Sequence, residues 1–131
     1  MTDARSIPAP ASVSRPGRLT RSADVQRVLR RGRSSAGELF ALHRLERPAD
    51  ERPDGGVGPR LTVVASKRVG NAVRRNRAKR LLREAARLRT WRDGLDVVLV
   101  ARAPSADSDV HQVGDELERL GSRLDVFTAV P

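Results

Sequence analysis

Between Ala65 and Arg87 the chain carries Lys67, Arg68, Arg74, Arg75, Arg77, Lys79, Arg80, Arg83 and Arg87 against one acid, Glu84. Cations at this density repel one another, and the repulsion opposes folding unless a polyanion is at hand. The segment still has helical order. Gly70-Asn71 offers a turn and a start, and Ala78, Leu81, Leu82, Ala85 and Leu88 recur three or four residues apart. This spacing predicts a helix over roughly 71–90 with that stripe buried. Arg75, Asn76, Lys79, Arg80, Arg83 and Arg87 then lie mostly away from the stripe. Any fold of this chain must cover one side of the helix and leave the cationic side open.

The rest of the composition agrees. A chain of 131 residues with a net charge of +10 and a pI of about 11.6 suits a single domain with a nucleic-acid or anionic-membrane partner. All the basic residues except Lys67 and Lys79 are arginine. Arginine binds phosphate bidentately and stacks on bases, which favours RNA, although GC-rich coding also enriches it. Cysteine is absent, which excludes disulfides and thiolate metal sites. No apolar run reaches the ~20 residues of a membrane span, and the start lacks a signal-peptide apolar region; the expected location is the cytoplasm. Phe40, Trp91 and Phe127 are the only aromatic residues. Base stacking would have to use very few rings, with His43 as a further candidate, or guanidinium planes.

Along the chain, residues 1–16 read as a disordered basic arm, 17–126 as one domain and 127–131 as a tail. Ser22 fits the N-cap of a short helix with an apolar face of Val25, Val28 and Leu29, closed by Gly32. Residues 38–46 and 61–65 read as strands joined by a variable loop at 47–60. Leu95–Ala101, almost continuously apolar, reads as a central strand covered on both faces. Ser108 fits the N-cap of a last helix with Val110, Val113, Leu117, Leu120 and Leu124 on one side. With a further short strand near 34–37, the order αββ(β)αβα gives a small two-layer α/β (α+β) sandwich. It has a sheet of about four strands and three helices.

The run from Ser66 to Glu84, centred on Arg75-Asn76-Arg77, resembles the signature of the bacterial ribonuclease P protein subunit. Arg18-Leu19 with the helix ending at Arg31-Gly32 is similar to that family's opening, and Val97–Arg102 followed by Pro104 to its last strand. The resemblance spans roughly 17–124. It implies a left-handed β-α-β crossover through the basic helix, against the usual right-handed preference. It also implies an accessory subunit that helps remove the 5′ leader of precursor tRNA, an endoribonuclease reaction. In such a particle the RNA subunit hydrolyses the bond with magnesium, and the partners are that catalytic RNA and the precursor.

Carried onto this chain, the RNA-binding set is Lys67, Arg68, Asn71, Arg74, Arg75, Asn76, Arg77, Lys79, Arg80 and Arg83, with Asn71 weighed first as a helix cap. The leader groove is expected at Val25, Leu29, Phe40 and His43 with Arg27. Several positions that are aromatic in the family are aliphatic or imidazole here, and Phe40 has a strong claim to the core. Arg87, Arg89 and Arg92 read as peripheral charge. A ribosomal or general RNA-binding structural protein is the alternative. Nothing points to catalysis by the protein itself: His43 and His111 sit in different elements, and there is no HExxH spacing or phosphate loop. Asp93, Asp96, Asp107 and Asp109 read as turn and cap residues rather than magnesium ligands.

Overall fold

The structure, a computed structural model, describes residues 16–48 and 58–128. The expected arm falls outside these residues except for Pro16, as does most of the 47–60 loop. The elements are β1 (Gly17–Arg18), α1 (Ser22–Arg31), β2 (Arg33–Ala36), β3 (Phe40–Glu46), β4 (Arg60–Val64), α2 (Ala72–Arg87), β5 (Leu95–Ala101) and α3 (Val110–Leu124). Single 3₁₀ helices at Lys67–Val69 and Ala103–Asp107 lead into α2 and α3.

The sheet has five strands in the order β1-β4-β5-β3-β2. β1, β4 and β5 are parallel, while β3 is antiparallel to both β5 and β2. The strand beyond the expected four is β1. Its two residues carry no pattern of their own and exist as a strand only through Gly17 N–H to the Pro59 carbonyl and Leu19 N–H to that of Leu61.

β5 organises the molecule. Leu95, Val97 and Leu99 pack with Phe40, Leu42, α2 and α3 on one face. Val98 packs with Leu19 and Val28 of α1 on the other. Its one charge, Asp96, is buried and receives Arg47 at 2.7 Å and Arg60 at 2.8 Å. This pairing ties the end of β3 to the starts of β4 and β5.

Several local expectations change. Arg21, not Ser22, is the N-cap of α1, and no side-chain cap forms there. Gly32 does close α1, but at φ −76°. Glycine is required there because a Cβ would lie 2.5 Å from the Arg44 carbonyl oxygen and 2.6 Å from that of Val28. Asp109 displaces Ser108 as the cap of α3, through a reciprocal pair of bonds with Gln112. α2 ends at Arg87, so Leu88 falls beyond the buried stripe and is 70% exposed. Its core place goes to Ala86 and to Trp91, whose indole N–H donates to the Ala86 carbonyl at 2.9 Å. Phe127, expected in the tail, bridges to Trp91 and packs its ring edge-on at 4.9 Å.

The β2–β3 turn depends on one buried acid. The Glu116 carboxylate of α3 accepts from the backbone N–H groups of Glu38, Leu39 and Phe40 at 3.2, 2.8 and 3.1 Å. Charge-assisted bonds of this kind are the strong ones. Glu116→Ala should therefore lower the unfolding free energy by about 2–4 kcal/mol in urea titration, because it orphans those donors. A change below about 0.5 kcal/mol, the level of an ordinary surface substitution, would show that the turn does not need this anchor.

Candidate RNA interface

Advancing 100° per residue, α2 turns Ala78, Leu82, Ala85 and Ala86 inward. Val73, Asn76, Arg80, Arg83 and Arg87 then share the opposite, exposed side. Val73 is 76% exposed. Neither Asn76, Lys79, Arg80 nor Arg83 makes a side-chain hydrogen bond or ion pair among the described residues. Arg87 approaches Glu84 at 3.9 Å.

The N-terminal arginines of α2 are held differently. Asn71 caps the helix, its side-chain oxygen accepting the Arg74 N–H at 3.0 Å. Gly70, at φ 137°, makes the turn before it. Arg74 donates to Asp107 at 2.9 and 3.0 Å and to the Val69 carbonyl at 3.1 Å. The hydrogen bonds of this pair, aided by its charge attraction, raise the Arg74 pKa and hold Asp107 below the usual carboxylate range. Arg75 donates to the Gly70 carbonyl at 3.1 Å and Arg77 to the Ala106 carbonyl at 2.7 Å. Each guanidinium has five N–H donors, so those of Arg75 and Arg77 are fixed in place with most donors unspent. The Arg75-Asn76-Arg77 core thus presents Asn76 outward between two braced arginines. Lys67 and Arg68 are exposed on the 3₁₀ turn that leads into this face.

On the other side of the sheet the expected groove divides. Val25 and Leu29 are half-buried on one edge of α1 and pack against the cluster of Leu19, Val28 and Val98, as do Val64 and Val100. His43 is the register partner of Val98, and Ala41 that of Val100, so both share this face. The His43 Nδ1 is buried without a hydrogen-bond partner, and burial lowers the pKa of the ring.

Phe40 leaves the groove set. Strand alternation puts it on the opposite face from His43, and it is fully buried in the core with Leu42 and Leu99. Arg27 leaves it too. Two residues from Val25 on a helix, it lies on the other edge of α1 and lines a separate cleft with Leu45 and Glu46.

Arg102 was missed. A 770 Å³ cleft at the carboxyl ends of β4 and β5 is lined by Ser66, Arg68, Ala41, Val100 and Arg102, and Arg102 donates to the Gly37 carbonyl at 3.1 Å. It follows β5 immediately, while Arg68 sits on the 3₁₀ turn after β4, so both lie at the strand ends where open α/β sheets gather ligands.

The aspartates are engaged elsewhere: Asp96 with Arg47 and Arg60, Asp107 with Arg74, and Asp109 in its cap. No three acidic or histidine groups among the described residues converge on a metal-sized site. No described helix is long and apolar enough to cross a membrane.

Residues 13–125 match the family model described as Ribonuclease P. The chain is 32% identical over 111 residues to the ribonuclease P protein component of Bacillus velezensis, covering 84% of this chain and 90% of that one. It is 33% identical over 108 residues to that of Desulforamulus reducens, covering 81% and 89%. Among solved structures, the Staphylococcus aureus RNase P protein superposes with a TM-score of 0.68 at 29% identity, covering 85% of this chain and 97% of that one. The Thermotoga maritima RNase P protein gives 0.64 at 26%, covering 78% and 92%. A cationic helix, an apolar groove behind it and these matches over nearly the whole domain lead to one assignment: the chain belongs to the bacterial ribonuclease P protein family.

Proposed function

We propose that this chain serves ribonuclease P by holding two RNAs on two faces. The open face of α2, with Asn76, Lys79, Arg80 and Arg83 and the braced Arg74, Arg75 and Arg77, grips the catalytic RNA. The groove formed by Val25, Leu29, His43, Ala41 and Val100, with Lys67, Arg68 and Arg102 at its mouth, receives the single-stranded 5′ leader of precursor tRNA. The observation that carries the reading is the division of α2: one side is committed to the core, and the other holds Lys79, Arg80 and Arg83 with no acid partner among the described residues. Leader cleavage is assigned to the RNA subunit and its magnesium. Asp96 and Asp107 are occupied by arginines and Asp109 by a helix cap, and no catalytic step is assigned to the protein.

In the groove, Val25 and Leu29 offer apolar contact and His43 a neutral, partly buried ring. Base stacking on an aromatic side chain contributes about 1–3 kcal/mol per base, and here one imidazole must supply it. Arg68 and Arg102 supplement this with phosphate contacts.

The direct test is reconstitution. The protein alone should leave precursor tRNA intact, and adding it to the cognate catalytic RNA should stimulate cleavage at low magnesium; absence of stimulation at every magnesium concentration contradicts the proposal. Arg80→Ala with Arg83→Ala should weaken catalytic-RNA binding. The plot of log affinity against log salt should flatten by about 0.7–0.9 per lost phosphate contact. An unchanged slope removes both residues from the interface. His43→Ala should weaken binding of leader-bearing substrate by roughly 5–150-fold relative to mature tRNA, the range expected of one stacked base. Equal losses on the two substrates would take His43 out of the groove.

A further inference from the structure

In the first half of α2 the open side is cationic at its edges and uncharged in the middle. At about 100° per residue Val73 falls opposite the fully buried Leu82, so it points straight out, and it is 76% exposed. Asn76 lies one turn on, exposed and without a side-chain partner among the described residues. Arg77 borders this pair on one side, and Lys79 and Arg83 border it on the other. Arg77 is held at that edge by the Ala106 carbonyl at 2.7 Å. A lone exposed valine is ordinary on a protein surface, but this one stands where a cation would strengthen a purely electrostatic grip. It also costs helix propensity relative to arginine. Among the described residues the other large apolar side chain so exposed is Leu88, beyond the end of α2.

The arrangement decides which form of RNA fits. A splayed single strand is held by stacking its bases on rings, and this face has none. Phe40 and Trp91 are fully buried and Phe127 packs on Trp91; the chain has no other Phe, Tyr or Trp. His43 lies on the groove face of the sheet and His111 on α3. The guanidiniums that remain carry N–H forks that match phosphate. In an RNA duplex the major groove is too deep and narrow for side chains. The minor groove is wide and shallow, and it shows 2′-hydroxyls and base edges between two phosphate rims. An uncharged centre flanked by cations is the complement of that surface.

We propose that Val73 and Asn76 seat α2 in the minor groove of a base-paired segment of the catalytic RNA. Val73 packs on a ribose. Asn76, with donor and acceptor groups on one amide, pairs with a 2′-hydroxyl, which is also both donor and acceptor. Arg77 on one side and Lys79 with Arg83 on the other meet the phosphates of the two strands. The assignment rests on α2 meeting the catalytic RNA, and it adds the form of that RNA and the two uncharged residues that recognise it. Because the 2′-hydroxyl distinguishes RNA from DNA, Asn76 makes the face selective for RNA beyond its charge.

The test uses the full chain with Val73→Ala and, separately, Asn76→Ala, two exposed substitutions that raise helix propensity and so keep the fold. Val73→Ala should weaken binding of the cognate catalytic RNA by roughly 4–15-fold, the loss of one to two buried methylene groups. Its salt slope should stay unchanged, because no phosphate contact is lost. Asn76→Ala should weaken binding by roughly 2–13-fold, the range of one hydrogen bond. A pool of catalytic RNA carrying scattered 2′-deoxynucleotides is then selected for binding to each protein. A deoxy position that weakens binding to the unaltered chain and ceases to matter with Asn76→Ala should fall at a base-paired nucleotide. Unchanged affinity with Val73→Ala, the absence of any such deoxy position, or its location in an unpaired stretch overturns the proposal. The Arg80→Ala, Arg83→Ala protein run alongside reports on the α2 reading itself. If its salt slope flattens while Val73→Ala is silent, α2 binds the RNA but not through a minor groove; if its slope is unchanged, the α2 reading fails.

Discussion

The two-sided burial of β5 is the constraint on which the rest depends. Leu95, Val97, Val98 and Leu99 are all fully buried, and each such side chain contributes about 1.5–3 kcal/mol relative to exposure. That burial requires helices on both faces of the sheet. A layer of α2 and α3 covers one face, and α1 crosses the other without covering it completely. The uncovered remainder, from His43 and Ala41 to Val100, becomes the groove. The outward sides of the covering helices become the charged surfaces. Function here is a by-product of how the central strand is sealed.

The second theme is how the fold carries so much positive charge. Arginine inside the fold is matched to acid: buried Arg47 and half-buried Arg60 share Asp96 beneath α1. Arginines at the start of α2 are matched to backbone carbonyls and to Asp107. These contacts leave donors free while fixing the side chains, which lowers the ordering cost when RNA arrives. Farther along α2, Lys79, Arg80 and Arg83 have no partner among the described residues, and in the proposed role the polyanion supplies their compensation. The chain is organised from braced arginines near the turn to unbraced ones along the helix.

Much of this was legible in residue order. Periodicity located α2 and its cationic side, and the apolar run at 95–101 located the doubly covered strand. Carrying the family's groove onto the chain did not show which side chains share a face. Phe40 and His43 are three apart on a strand, so they face opposite ways; Arg27 and Val25 are two apart on a helix, so they flank opposite edges. Counting by two and by 100° would have excluded both Phe40 and Arg27 from the groove. Leu88 fits the heptad-like stripe, and only the ending of α2 at Arg87 exposes it. β1 had no signal to find, because two residues gain strand character solely from the edge of β4. Arg102 had a signal, its place after a parallel strand, but one that has meaning only once the sheet order is known.

The central claim is that two faces of one small protein meet two different RNAs. The chain contains no cysteine, so a single introduced thiol is a unique attachment point for a tethered hydroxyl-radical source. With Asn76→Cys on α2 and His43→Cys in the groove, strand scission is mapped in holoenzyme assembled with precursor tRNA. The account predicts that cuts from residue 76 fall in the catalytic RNA and cuts from residue 43 fall in the leader. Cuts from both positions in the same RNA segment would contradict it.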